Sequence, residues 1–239
     1  MKTAHQVGLT PLDGQDNATR DYVLANVAGE LFRWNRVDVS QFSLVDPLTQ
    51  GWALAYVAAS GGVPAHIRIT APSSWTTATG PAFLLISPDL ATADHDIIVT
   101  HDFFTPQPTT QTIGPLQRYV ADDSWIGTQW SFDNVAGPVV TLAVESEDGG
   151  APASVFSDPE ILPALVSTDV VRTVATSLRG LHGCGLGRVA GHGLFTGAAS
   201  LYTDKTAGFG IWGLAWAGTH GNETLRIFDV VVKPSQGGA

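Results

Sequence analysis

The run ESEDGG at 145–150 places two glutamates two residues apart, with an aspartate directly after them. On a strand end, Glu145 and Glu147 share a face and stand roughly 7 Å apart. That spacing lies within the roughly 5–9.5 Å separating the acid from the base or nucleophile of a glycoside hydrolase. With Asp148 the same carboxylates offer hard oxygen ligands for calcium. A solvated strand end and turn would use the same residues without any chemistry. The seven tryptophans are the other conspicuous set. Most lie in or beside apolar runs suited to a core. Trp75, in APSSWTTATG, and Trp125, in DDSWIGTQW after Asp122 and Asp123, have polar neighbours instead. An exposed indole covers the apolar face of a sugar while a nearby carboxylate accepts from its hydroxyls. Trp75, Asp122, Asp123 and Trp125 are therefore the candidate ligand-binding residues. Glu145, Glu147 and Asp148 are the candidate calcium or acid group.

Other patterns carry less. GLGRVA at 185–190 matches the dinucleotide fingerprint G-x-G-x-x-G/A, which needs a strand before it and a helix starting within it, but a helix-like segment precedes it and no βαβ alternation surrounds it. It reads as part of a glycine-rich surface loop at 180–198. Cys184 lies near His182 and His192 without a flanking signature for a thiolate–imidazole pair. In DHDIIVTHD, Asp94 and Asp96 flank His95, and Asp102 follows His101. His95 and His101 share a strand face but sit roughly 20 Å apart, too far to bind one metal.

The elements that must position these residues are mostly strands. VDVSQFSLVD, GWALAYVAA, AHIRIT, AFLLIS, DIIVTHDFF, QRYVADD, TQWSFD and PVVTLAVESE are short β-branched or aromatic runs between Pro, Gly, Ser and Asp clusters. In AHIRIT, His66, Arg68 and Thr70 face one way, Ile67 and Ile69 the other. In ETLRIFDVVVK, Leu225, Ile227 and Asp229 face one way, Arg226, Phe228 and Val230 the other. Such spacing predicts a mainly β fold, an antiparallel sandwich or barrel. The region at about 155–205 breaks the rhythm and reads as an irregular, partly helical insertion, with Asp158 or Asp169 as caps. At the start, Asp16 caps a segment in which Val23, Val27, Leu31 and Trp34 recur at helical spacing. The apolar stripe is narrow, as in a seam between few helices. The expected division is 1–35, an assembly helix, and 36–239, the sandwich.

Composition narrows the partners. The chain has 239 residues and a net charge of −10, with three lysines and scattered arginines. The absence of a basic run argues against nucleic acid and against an anionic membrane surface. No apolar stretch is long enough for a transmembrane helix, and the N-terminus has no signal-peptide pattern. The single cysteine excludes an internal disulfide. These features fit a protein made in a cytoplasm and released by lysis.

The stretch VGLTPLDGQDNATRDYVLAN resembles the P-x-x-x-Q-D-A-A-T-K-x-Y-V-D segment of bacteriophage tail-fibre and related virion proteins. Pro11, Gln15, Asp16, Ala18, Thr19, Tyr22 and Val23 fall on matching positions, and Arg20 replaces the usual Lys. Asn17 and Leu24 depart from the pattern. The resemblance covers about 20 residues. It implies a turn and short helix that trimerises a fibre or leads from a stalk into a head. Val23, Val27 and Leu31 would then meet their copies around a threefold axis. The competing reading is one helix packed on its own sandwich. The remainder resembles a jelly-roll or carbohydrate-binding-module sandwich. The resulting expectation is a non-enzymatic virion component, a fibre, spike or decoration protein. It would be homotrimeric, without a cofactor, meeting other virion proteins and a host-surface glycan. The placement of the segment near Met1 favours an adaptor, head-fibre or decoration role over a full-length tail fibre. A free carbohydrate-binding module and a glycan-cleaving hydrolase are the alternatives.

Overall fold

The computed structural model describes residues 29–73, 75–87, 90, 94–122, 124–133, 139–148, 153–160, 168–178, 181–186, 194–196, 206–218 and 220–235, the side chains of 132–133, 139–148, 153–160, 178, 181–186 and 194–196 excepted. The described residues form sixteen strands. In chain order they are β1 (Phe32–Arg33), β2 (Phe42–Val45), β3 (Ala53–Val57), β4 (His66–Thr70), β5 (Ala78–Thr79), β6 (Ala82–Ile86), β7 (His95–His101) and β8 (Thr110–Ala121). Then come β9 (Ser124–Asp133), β10 (Val139–Asp148), β11 (Ala153–Glu160), β12 (Val171–Leu178), β13 (Leu181–Leu186), β14 (Leu194–Thr196), β15 (Gly208–Ala215) and β16 (Thr224–Pro234).

Two antiparallel sheets result, as the alternating runs predicted. Sheet A has the order β14-β13-β12-β7-β16-β4-β3, with β1 beside β16; sheet B has the order β11-β10-β9-β8-β15-β6-β2, with β5 beside β15. The inner faces bury Ile67, Ile69, Ile97, Val99, Leu225 and Ile227 from sheet A. They meet Leu84, Ile113, Ile126, Trp130, Phe209 and Ile211 from sheet B in one core. Removing this apolar area from water is the main drive that holds the sheets face to face. Polar ties also cross the core, among them the Arg118 guanidinium on β8, which donates to Ser177 Oγ on β12 at 2.7 Å.

The expected alternation holds on β4, where Ile67 and Ile69 are buried and Arg68 is exposed. On β16 it holds only for the first half. A bulge between Ile227 and Asp229 inserts one extra residue, so Val230 and Val232 turn inward and Asp229 turns outward. Periodicity alone had put Val230 on the opposite face from Leu225 and Ile227.

The assembly segment is described only in part. Val23 and Val27 lie outside the described residues, as does the expected helix up to residue 28. Leu31 does not continue a helical seam. Its backbone N–H donates to the Val232 carbonyl at 2.9 Å, and its side chain packs against the sandwich core. Trp34 is 1% exposed and meets Phe42 and Tyr56 edge-on. Residues from Leu31 onward therefore fold with the sandwich, because their apolar side chains find buried area there.

The 155–205 region contributes β11 to sheet B and β12, β13 and β14 to sheet A. Val171–Leu178, expected to be partly helical, is a strand whose Val171, Thr173, Ala175 and Ser177 are buried in alternation. Leu181–Leu186, expected in a surface loop, pairs with β12, Cys184 opposite Ala175. The dinucleotide-like pattern thus starts in an antiparallel strand. Residues 161–167 and 187–193 lie outside the described residues.

Candidate functional site

The residues singled out for chemistry converge on the face of sheet B that points away from sheet A. The register explains why. In β9 and β10, Glu145 pairs with Gly127, Glu147 with Trp125 and Asp148 with Ser124. Directly paired residues of antiparallel strands share a face. Glu145 and Glu147 therefore occupy positions on the same face as Trp125; their side chains lie outside the described residues.

A second indole organises this face. The register of β15 against β8 shifts between Ile211 and Gly213, so Trp212 is an extra residue in the strand. Its ring turns outward and lies across Gly210 and Gly127. A Cβ on Gly127 would stand 2.2 Å from Trp212 Cζ2, and one on Gly210 2.5 Å away. Only glycine leaves room for an aromatic ring flat on the backbone at these positions. Trp212 is partly exposed, and its ring centroid is 5.2 Å from that of Trp125. Its buried Nε1 has no hydrogen-bond partner among the described residues. Around it Phe83, Leu85, Leu116 and Trp125 form a second apolar cluster, flanked by Val45, Tyr119 and Trp212. This cluster explains why AFLLI in β6 is apolar throughout: both faces of the strand are buried.

Trp125 itself is 1% exposed. It packs against Phe83 at 6.0 Å and against Trp212, so it supports the face instead of offering an open stacking surface. At the nearby β8–β9 turn, Asp122 is exposed and accepts from the Tyr119 hydroxyl. Asp123 lies outside the described residues.

Trp75 is elsewhere and is also buried, 5% exposed. Its indole N–H donates to Glu223 Oε2 at 3.3 Å. The other oxygen of that fully buried carboxylate bonds the His220 ring, which lies over Trp216 at 3.6 Å between centroids. The polar loop around Trp75 suggested an exposed ring; in the fold, the 216–223 connection supplies a buried acid for its N–H. Neither Trp75 nor Trp125 is the exposed sugar platform their sequence neighbours suggested.

His95 and His101 point inward from β7 and are fully buried. Among the described residues no three His, Cys, Asp or Glu side chains gather as a metal site. His101 lies between the rings of Phe103 and Phe209, and burial pushes its pKa down to about 4. Burial also raises Asp102, an effect opposed by its hydrogen bonds to the Arg226 backbone and side chain.

No family model matches the chain, and no curated protein matches it. Solved structures do. A Bacillus licheniformis β-glucanase superposes with a TM-score of 0.57 at 9% identity, over 87% of this chain and 99% of that one. Carbohydrate binding module CBM66 from Bacillus subtilis superposes with a TM-score of 0.50 at 11% identity, over 77% of this chain and 95% of that one. The GH43 protein BlXynB from Bacillus licheniformis gives a TM-score of 0.49 at 11% identity over 82% of this chain, which spans 37% of that protein's length. The chain thus has a β-sandwich fold of the kind found in carbohydrate-binding modules and in glycoside hydrolases. Identities this low speak for the fold alone.

Trp212 escaped the sequence reading because GFGIWGLAW looks like a core strand. The available signal was the glycine at alternate positions, Gly208 and Gly210, which empties one sheet face beside a tryptophan.

Proposed function

We propose that this protein is a non-enzymatic, glycan-contacting component of a bacteriophage virion, attached through its N-terminal segment and binding sugar with its sandwich. The observation that carries the glycan half is the Trp212 indole. It rests on the backbone of Gly127 and Gly210, partly exposed, on a face whose register positions include Glu145 and Glu147. A flat ring held beside acid positions matches what a pyranose needs: an apolar surface for its ring face and acceptors for its hydroxyls. The likeness of the fold to a carbohydrate-binding module supports the same reading. The virion half rests on the resemblance at 11–23 and includes self-association as a trimer through Val23 and Val27. The reading needs no cofactor.

Binding to a panel of neutral glucans, measured by calorimetry on the full chain and on Trp212→Ala, tests the first half. Millimolar to micromolar binding that the substitution removes is the expected result; no binding to any glycan refutes it. The register of Glu145 and Glu147 beside Trp212 favours one second reading, glycan cleavage. Reducing-end release by the full chain that is lost in Glu147→Gln would replace the binding role with a hydrolase. Light scattering of the full chain tests the trimer, and a monomeric mass refutes it.

A further inference from the structure

The outer faces of the two sheets differ. That of sheet B carries the apolar cluster around Trp212 beside the register positions of Glu145 and Glu147; that of sheet A carries arginines among outward-facing carboxylates. Arg68 on β4 and Arg226 on β16 are paired directly across the strands, and both point outward because Ile67, Ile69, Leu225 and Ile227 are buried on the other side. Their Cα atoms are therefore about 5 Å apart. Arg172 on β12 is opposite Thr100, two residues from Asp102, which bonds Arg226. Two strand spacings and two residues put Arg172 roughly 12 Å from Arg226.

This row is unusual in an acidic chain with 22 Asp and Glu against 12 Lys and Arg. Most of the described cations have acids. Arg33 and Arg36 reach Asp229 at 3.4 and 3.1 Å, Lys233 is opposite Asp96, and Arg118 is 3.8 Å from Asp94. Arg68 and Arg172 are exposed and meet no acid among the described residues. Like charges directly opposite on a sheet are destabilising, and Asp102 offsets the charge of Arg226 while Arg68 has no acid of its own among the described residues.

Arg226 is also held in place. Its Nε donates to Asp102 Oδ2 at 2.6 Å, its backbone N–H donates to Asp102 Oδ1 at 2.6 Å, and its guanidinium lies 5.3 Å over the Phe228 ring. Asp102 is 2% exposed. The buried carboxylate fixes the guanidinium by its Nε edge, on a side chain a third exposed, and leaves its terminal nitrogens for an acceptor. Around the arginines the outward positions carry hydroxyls, with Thr70, Thr224 and Thr100 half-buried, and Asp229, opposite Thr100, is already taken by Arg33 and Arg36.

We propose that the outer face of sheet A binds an anionic polysaccharide, its carboxylates or sulfates seated on Arg68, Arg226 and Arg172. The proposal rests on the glycan-binding reading above and adds a second face with a charge preference. A flat floor of hydroxyls with an aromatic ring beside fixed guanidiniums suits a sugar that carries acid groups. An acidic peptide would gain the charge contacts but would leave the hydroxyl floor unused.

The test is affinity of the full chain for polygalacturonate and heparin oligosaccharides, with neutral dextran and a single-stranded DNA of matched charge as comparisons, at two salt concentrations. Arg68→Gln and Arg172→Gln are used because both side chains are exposed and folding does not depend on them; melting temperatures check this. The expected result is tighter binding of one or both acidic glycans than of dextran or DNA, weakened by salt. It should fall about tenfold in each variant and recover in part in Arg68→Lys. The better of polygalacturonate and heparin identifies carboxylate or sulfate as the anion. Acidic glycans binding no tighter than dextran, binding unaffected by Arg68→Gln and by Arg172→Gln, or DNA binding equally well would each overturn it. Neutral-glucan binding that persists under Arg68→Gln but vanishes under Trp212→Ala would separate this failure from failure of the sheet B site.

Discussion

Acidification should destabilise the sandwich through His101. The imidazole is fully buried between Phe103 and Phe209, its Nδ1–H donates to the Asp102 carbonyl at 2.6 Å, and its Nε2 has no partner among the described residues. A proton on Nε2 would place a charge against two aromatic rings, and burial lowers the pKa from 6.5 to about 4. Because the folded value lies below the unfolded one, the unfolded chain binds more protons between pH 6.5 and about 4. Stability is therefore full above pH 6.5 and is lost as pH falls through that window. Between pH 7.5 and pH 5 the loss from this group is about 2 kcal/mol, or a melting temperature lower by about 4–8 °C for a domain of this size. Asp96 and Asp102, both raised by burial, act in the opposite sense at lower pH, so pH 5 is the lower limit for the assay. Urea unfolding at several pH values, on the natural chain and on His101→Phe, isolates the effect, because the other histidines and carboxylates titrate in both proteins. The variant should lose about 2 kcal/mol less than the natural chain over this range. An equal loss in both would refute the assignment.

Gly127→Ala should push the Trp212 indole off the sheet, since the new Cβ would stand 2.2 Å from Cζ2. We expect a loss of about 1–3 kcal/mol and a shift in tryptophan emission. Gly213→Ala, whose Cβ would meet only the Thr79 carbonyl at 3.4 Å, should leave the emission unchanged. Asp102→Ala removes the acceptor of two Arg226 hydrogen bonds; with Arg226 a third exposed, water replaces part of them, and the urea midpoint should report a loss of about 2 kcal/mol with an unchanged slope.

How much was legible follows from which physical rules are local. Strand character is local: AHIRIT and AFLLIS are β-branched and apolar runs between turn residues, and each became a strand. Bulges are not local. The extra residues at Phe228 and Trp212 arise where one strand must match partners on both sides, and they reverse which side chains face the core. Tryptophan exposure is not local either. The polar neighbours of Trp75 and Trp125 predicted open rings, but Glu223, 148 residues away in sequence, and Phe83 close over them.

By itself, then, the sequence determined the mainly β, antiparallel class and the low cationic charge, because composition and period-two patterning act over a few residues. Only the tertiary structure decided that Glu145 and Glu147 share a face with Trp212, and that Arg68, Arg226 and Arg172 come to one sheet face. Those neighbours lie on different strands, and register between strands is set by packing across the whole sandwich.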